Sequence, residues 1–269
     1  VVVGDPLQVE PVVTIPKVLI DILADSTGVA NEYKVIENSA QTFADNINEF
    51  SGMIGERQVG CPLVVHRRCI EPMFSISNMI SYDNRMFNKT KKKEDYLKQE
   101  QPFLIKKSGW INVEGTENGS KDHFVKNQAE RVCQLLESAL HIYTDLFDTD
   151  DKIFIITPFR TVAESMRKFV VGYFSAKGND KEVLKKWTKK CVGTVHTFQG
   201  KDANEVIFVL GCSDKSVGAM NWVVKKANIL NVACTRAKYR IAFIGNLNDW
   251  KNRRYFREFI PKFIDTIDV

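Results

Sequence analysis

Residues 152–174 read KIFIITPFRTVAESMRKFVVGYF. The first part, 152–159, is an apolar run of strand length, rich in Ile and Phe and closed by a Pro. The second part, 161–174, has the mixed polar and apolar pattern of an amphipathic helix. A further strand-like run, CVGTVH, follows at 191–196. Strand, helix, strand is the unit from which parallel sheets are built, because parallel neighbours need a long crossover connection.

The same alternation extends in both directions. Strand-like runs occur at 1–5 (VVVGD), 61–65 (CPLVV), 109–115 (GWINVEG), 205–211 (EVIFVLG) and 240–246 (RIAFIGN). Helical patterns occupy 72–86, 127–147, 228–238 and 247–260, with Pro72 suited to a first turn. The polar stretch 87–107 and the Gly/Asn/Ser-rich stretch 114–122 read as loops. The expected fold class is α/β, a mostly parallel sheet with helices on both faces. In such sheets the chemistry is expected on loops at the carboxyl ends of strands.

Charge is unevenly distributed along the 269 residues. Residues 1–60 hold nine acidic and three basic side chains, a balance of −6, and the rest balance at +11. Basic clusters recur, as in KTKKK, KKWTKK and KNRRYFR, a pattern suited to a polyanion or to a solvated surface. No apolar run approaches membrane-spanning length. The six cysteines (61, 69, 133, 191, 212 and 234) show no metal-ligand spacing and read as reduced core thiols, which points to the cytoplasm. Cys69, beside Arg67 and Arg68, is the one candidate for a reactive thiol. No G-x-G-x-x-G follows any strand, which weighs against a dinucleotide enzyme.

Five short strings remain: Gly4-Asp5-Pro6-Leu7-Gln8, His66-Arg67-Arg68-Cys69, ITPF (156–159), VGTVHTFQGKDA (192–203) and NVACTRAK (231–238). Each alone has an ordinary explanation as a turn or a charged surface. FQGKD is not a phosphate-binding P-loop, since Asp202 stands where Ser or Thr is needed. Together and in this order, they resemble motifs III, IV, IVa, V and VI of the superfamily 1 helicases. The similarity is nearest the subgroup of the nonsense-mediated-decay RNA helicase and its bacterial DNA-helicase relatives. It runs from Val1 to about Asn246.

The resemblance implies a RecA-like fold of the P-loop NTPase type. Residues 1–60 would be the tail of a first domain and residues 61–269 a complete second one. The P-loop and the acidic magnesium motif would then lie upstream of Val1. ATP and Mg²⁺ are the implied ligands of the whole protein. The partners would be its own N-terminal RecA-like domain and single-stranded nucleic acid, with DNA as the strand, and no membrane. Arg67 and Arg236 are carried over as arginine fingers and Gln8 as the γ-phosphate sensor. Asp5, Gly200 and Asp202 fall at nucleotide-binding positions, with Asp202 shorter than the Glu usual there. Thr157, Pro158, Thr194 and His196 fall at strand-binding positions.

Arg236 is expected to project from its helix into an interdomain cleft, with Arg240 as an ordinary surface charge. The competing reading is a nucleic-acid-binding module without productive hydrolysis. Trp110, Trp187, Trp222 and Trp250 are all candidates for stacking on bases, and the sequence does not choose among them.

Overall fold

The computed structural model describes residues 4–5, 7–8, 13, 15–30, 33–34, 39–54, 57–90, 103–117, 119 and 122–267. Its centre is a six-stranded sheet whose strands lie in the order Asp265–Thr266, Gly109–Asn112, Ala237–Gly245, Ala203–Val209, Ile153–Thr157, Val192–Thr194, and every pairing is parallel. In chain order the described elements begin with α1 (Lys17–Thr27), α2 (Ala40–Asn46), and a hairpin of β1 (Gly52–Ile54) and β2 (Arg57–Val59). Then come β3 (Val65–His66), α3 (Met73–Ser81), β4 (Phe87–Asn88), β5 (Gly109–Asn112) and α4 (Lys126–Leu140). The βαβ unit that opened the sequence follows as β6 (Ile153–Thr157), α5 (Arg160–Ser175), α6 (Lys181–Cys191) and β7 (Val192–Thr194). The chain continues through β8 (Ala203–Val209), α7 (Val217–Val223), α8 (Asn228–Arg236) and β9 (Ala237–Gly245). It closes with α9 (Leu247–Trp250), α10 (Phe256–Phe263) and β10 (Asp265–Thr266).

All five residues of β6 are buried, so both faces of the central strands are covered. This is why these strands read as continuous apolar runs and not as alternating ones. Each fully buried Phe or Ile in them contributes about 1.5–3 kcal/mol of burial. Trp110 stacks on Phe243 at 5.8 Å and meets Phe256 edge-on, which fastens α10 to the sheet. Its indole N–H donates to the Gly245 carbonyl at 2.9 Å, so the polar atom is satisfied in the core.

Several expectations need correction. The run 61–65 does not enter the main sheet; Val65–His66 pairs in parallel with Phe87–Asn88 as a separate two-stranded piece. The stretch 87–107 is therefore not all loop, and its residues 91–102 lie outside the described ones. Most of the expected first strand, residues 1–3, also lies outside them, and Gly4 and Asp5 are not strand. The pattern at 247–260 yields two helices, divided before Tyr255, whose φ of +66° breaks the helical path.

One helix, α6, was read only as a basic cluster. Asp180 caps it by accepting from the backbone of Glu182 (2.8 Å) and Val183 (2.9 Å), and Leu184, Trp187 and Cys191 form its buried stripe. Both signals were present in the sequence, hidden by five lysines on the solvent side.

Glu205 and Arg240 face each other in register across β8 and β9. Glu205 is fully buried and accepts from the backbone of Leu104 (3.0 Å) and Ile105 (2.6 Å) and from the Tyr143 hydroxyl (2.7 Å). Arg240 is half-buried, lies 5.6 Å from the Phe103 ring, and has its pKa lowered by desolvation against the opposing pull of Glu205. It is not the ordinary surface charge expected of it.

Candidate functional site

The five strings converge only in part. α8 carries Asn231–Arg236 of NVACTRAK, whose last two residues begin β9, and packs against α3. Because α8 is helical, Asn228, Asn231 and Thr235 share one face at i, i+3, i+7 spacing. Asn231 is fully buried there: its Oδ1 accepts from Ser77 Oγ at 2.5 Å, and its Nδ2 donates to the Leu7 carbonyl at 2.8 Å. Asn228 donates to the carbonyl of Gln8. The Asp5–Gln8 segment is thus held to α8 by two side-chain amides.

Asp5 organises that segment. Its Oδ2 accepts from Gln8 Nε2 at 3.0 Å and from the Tyr82 hydroxyl at 2.5 Å, while Oδ1 accepts from the backbone of Leu7 at 3.0 Å. Tyr82 Oη in turn accepts from Asn231 Nδ2 at 3.2 Å. Burial and the Asp5 carboxylate hold the Tyr82 phenol well above its usual pKa, so it remains a donor. Tyr82 had no role in the sequence reading, since nothing in SYDN marks it.

Arg236 ends α8 and is completely buried. It does not project into a cleft. Its Nη1 donates to the carbonyls of Phe198 (3.2 Å) and Lys201 (2.9 Å), its Nε to Val232 O (3.3 Å) and its Nη2 to Thr235 Oγ1 (3.2 Å). Burial first, then the neighbouring Arg68, lowers its pKa to about 10, and Asp202 opposes this.

Asp202 is held by two cations, Lys238 Nζ at 2.9 Å and Arg68 Nε at 3.9 Å. Its carboxylate is engaged in these ion pairs, with its side chain 34% exposed. Gly200 has φ +83°, and a Cβ there would meet no neighbour within 4 Å. The turn needs Gly for its backbone conformation, not for space.

Of the paired arginines, Arg67 is exposed, whereas Arg68 is half-buried and turned toward Asp202 and Arg236. Cys69 is buried, with its Sγ 3.1 Å from His66 Nε2. The other cysteines are free and buried except Cys61, which is exposed and so departs from the core reading.

Asp202 directly precedes β8 and Arg236 directly precedes β9, with Ala203 and Ala237 in register. This cluster lies at the amino ends of those strands, not at the carboxyl ends where chemistry was expected. The strand-binding candidates lie at the opposite edge. Thr157 and Pro158 end β6 and are buried, with Thr157 Oγ1 accepting from Phe159 N at 3.4 Å. Thr194 is half-buried at the end of β7, 3.1 Å from Thr197 Oγ1. His196 stands in a 3-10 turn and is exposed overall, yet partial covering of its ring lowers its pKa, so it is neutral at pH 7.

One group of metal-ligating side chains stands among the described residues: Glu117, His123 and Cys212, whose ligand atoms lie within 4.8 Å of one another. The Glu117 carboxylate already accepts from Ser213 N (2.8 Å) and Ser216 Oγ (2.9 Å) and meets His123 Nδ1 at 3.3 Å. A mixed sulfur, nitrogen and oxygen set does not suit magnesium, which takes oxygen ligands.

A family model described as an AAA domain matches residues 49–248. The chain is 26% identical over 209 residues to an uncharacterized ATP-dependent helicase of Methanocaldococcus jannaschii. That alignment covers 74% of this chain and 28% of the archaeal protein, so the chain spans little more than a quarter of that relative's length.

Proposed function

The chain belongs to the AAA domain family, and from that premise we propose that it is part of an ATP-dependent nucleic-acid helicase or translocase acting on DNA. In this reading residues 61–269 are the second RecA-like domain and residues 1–60 the end of the first. The observation that carries it is that α8 ties four strings together: Asn228 and Asn231 hold Gln8 and Leu7, Arg236 at its far end holds the turn before Asp202, and Asp202 pairs with Arg68. Four strings scattered over more than 230 residues share one hydrogen-bonded neighbourhood, as a nucleotide-sensing device requires.

Phosphoryl transfer asks the protein for positioning and for positive charge where γ-phosphoryl charge develops. Arg68 takes the finger role that the sequence resemblance gave to Arg67, because it faces the cluster while Arg67 faces solvent. Arg236 acts by fixing the 198–201 turn. Gln8, its amide steered by Asp5, is placed to sense the γ-phosphate of ATP. The phosphate loop and the magnesium ligands would be supplied by another part of the full-length protein, and the Glu117, His123 and Cys212 group does not suit magnesium.

One observation favours the competing reading of a non-catalytic nucleic-acid-binding module. Arg236 is spent on backbone carbonyls and cannot reach a phosphate from its present position.

Steady-state ATP hydrolysis by the full-length protein, with a nucleotide-binding titration, decides between them. Arg68→Ala is expected to lower kcat by on the order of 10³-fold with nucleotide binding kept, and Arg67→Ala to stay near wild type. The reverse pattern would reject the Arg68 assignment. A full-length protein that binds single strands but hydrolyses no ATP would establish the non-catalytic module instead.

A further inference from the structure

The four tryptophans occupy very different environments. Trp110, Trp187 and Trp250 are 0%, 2% and 0% exposed, whereas Trp222 is 47% exposed. A half-exposed indole is a side chain well suited to a flat, apolar ligand with a polar edge.

Trp222 is also held in place from behind. It sits on α7, and its ring lies 5.7 Å from that of Phe159, interplanar angle 37°. Phe159 is nearly buried and also meets the His123 ring at 4.7 Å. Trp222 is thus the exposed member of a chain of three ring contacts that begins just after β6. A ring braced in this way loses little conformational freedom when a second flat group stacks on it.

Basic side chains outnumber acidic ones beside α7 in the sequence. Lys215, Lys225 and Lys226 are exposed there with the carboxylate of Asp214, and Asp249 and Glu114 lie in the same electrostatic neighbourhood as Asp214 and Arg253. Lys225 N donates to the Trp222 carbonyl at 3.2 Å, which fixes the backbone of that lysine three residues beyond Trp222. Arg253 reaches over from the α9–α10 connection and donates to Asn221 Oδ1 at 2.6 Å, on the residue next to Trp222. A braced, solvent-facing aromatic ring among cations is the pairing by which proteins hold unpaired bases along a phosphate backbone.

We propose that Trp222 is a stacking platform for a base of single-stranded nucleic acid bound at the carboxyl edge of the sheet. This rests on the nucleic-acid reading given above, but it assigns a residue and a contact that the sequence resemblance did not. Phosphate contacts from the flanking lysines would set the register of the strand, and the stacked base would carry little sequence preference.

Intrinsic fluorescence tests this directly, because the other three indoles are shielded. Titration of the chain with oligo-dT and oligo-U should quench the exposed tryptophan, with the two arms separating DNA from RNA. Trp222→Ala should weaken binding by about tenfold, Trp222→Phe should restore most of it, and an abasic strand of equal length should bind the wild type as weakly as Trp222→Ala binds oligo-dT. Thermal melting of both variants checks that the fold is kept. Wild-type affinity in Trp222→Ala, or equal binding of abasic and normal strands, overturns the stacking proposal while leaving the nucleic-acid reading intact. No binding of any single strand by the wild type removes both. Concentration-dependent self-association lost in Trp222→Ala, without quenching by oligonucleotide, would make this face a contact between copies and also overturn the proposal.

Discussion

Arg236 and Lys201 are joined by a 2.9 Å hydrogen bond from the guanidinium Nη1 to the backbone carbonyl. With the parallel bond to Phe198 O, the last residue of α8 clamps the turn that leads from β7 into β8. A planar cation presents five donors in a fixed fork to several carbonyls at once, a geometry that the compact ammonium of Lys does not reproduce.

Arg236→Ala should therefore destabilise the fold, by about 2–4 kcal/mol, because it leaves buried carbonyls without donors. Arg236→Lys should recover less than half of that loss. Urea unfolding of the three proteins measures it. A variant as stable as wild type would show that the clamp does not hold this turn.

Asp202, by contrast, should matter little for stability. Its side chain is 34% exposed and that of Lys238 27%, so their 2.9 Å pair is screened by solvent. Asp202→Asn is expected to cost less than about 1 kcal/mol and to lose most of even that effect at 1 M salt. A cost of several kcal/mol would mean that the ion pair with Lys238 and Arg68 is structural.

Asn231 should control how firmly residues 5–8 are held. Asn231→Ala removes the donor to Leu7 O and leaves Ser77 Oγ without its acceptor, a loss of about 1–3 kcal/mol. Tyr82→Phe removes only the bond to Asp5 and the acceptor for Asn231. Hydrogen exchange at Leu7 and Gln8 should accelerate in both, and more in Asn231→Ala. Unchanged exchange in Asn231→Ala would detach this segment from α8.

Glu205 should give stability a particular pH dependence. Burial raises its folded pKa above the ordinary value of 4.5, against the pull of its three hydrogen bonds and of Arg240. The folded state then holds a proton that the unfolded state has released. The stability associated with the neutral acid is present below about pH 4.5 and is lost as pH rises through the raised value. Wild type minus Glu205→Gln should thus decline from pH 4.5 upward, measured by denaturant unfolding at successive pH values. Parallel curves for the two proteins would refute the shift.

Nucleic-acid binding, if it follows the charge distribution, should weaken steeply with salt and show a linear log–log slope set by the phosphates neutralised. Between pH 7 and 8 the affinity should be flat, because His196 is already neutral there. A marked rise in affinity on going from pH 8 to 7 would indicate a charged imidazole on the strand.

The parallel sheet was legible because its strands are buried on both faces. Runs such as 153–156 and 206–209 are apolar throughout, and their length and composition separate them from the helices between. Charge composition likewise separated an acidic start from a basic remainder. The strand limits shifted by a few residues, and α6 was missed because its lysines outnumber the apolar residues that it buries.

What the sequence could not decide was which side of a side chain faces what. Arg67 and Arg68 are chemically identical neighbours, and only the path of the chain after β3 turns one toward Asp202 and the other to solvent. The four tryptophans are equivalent in a string of letters, and only the packing of α7 against Phe159 leaves Trp222 half in water. Arg236 stands in a string that suggests a reaching finger, yet helix end and turn meet so closely that its donors are consumed by carbonyls. Local pattern determined the elements because backbone hydrogen bonding and burial act over a few residues. The direction and charge environment of each functional group depended on contacts between segments up to 224 residues apart, as between Asn231 and Leu7, and those exist only in the folded chain.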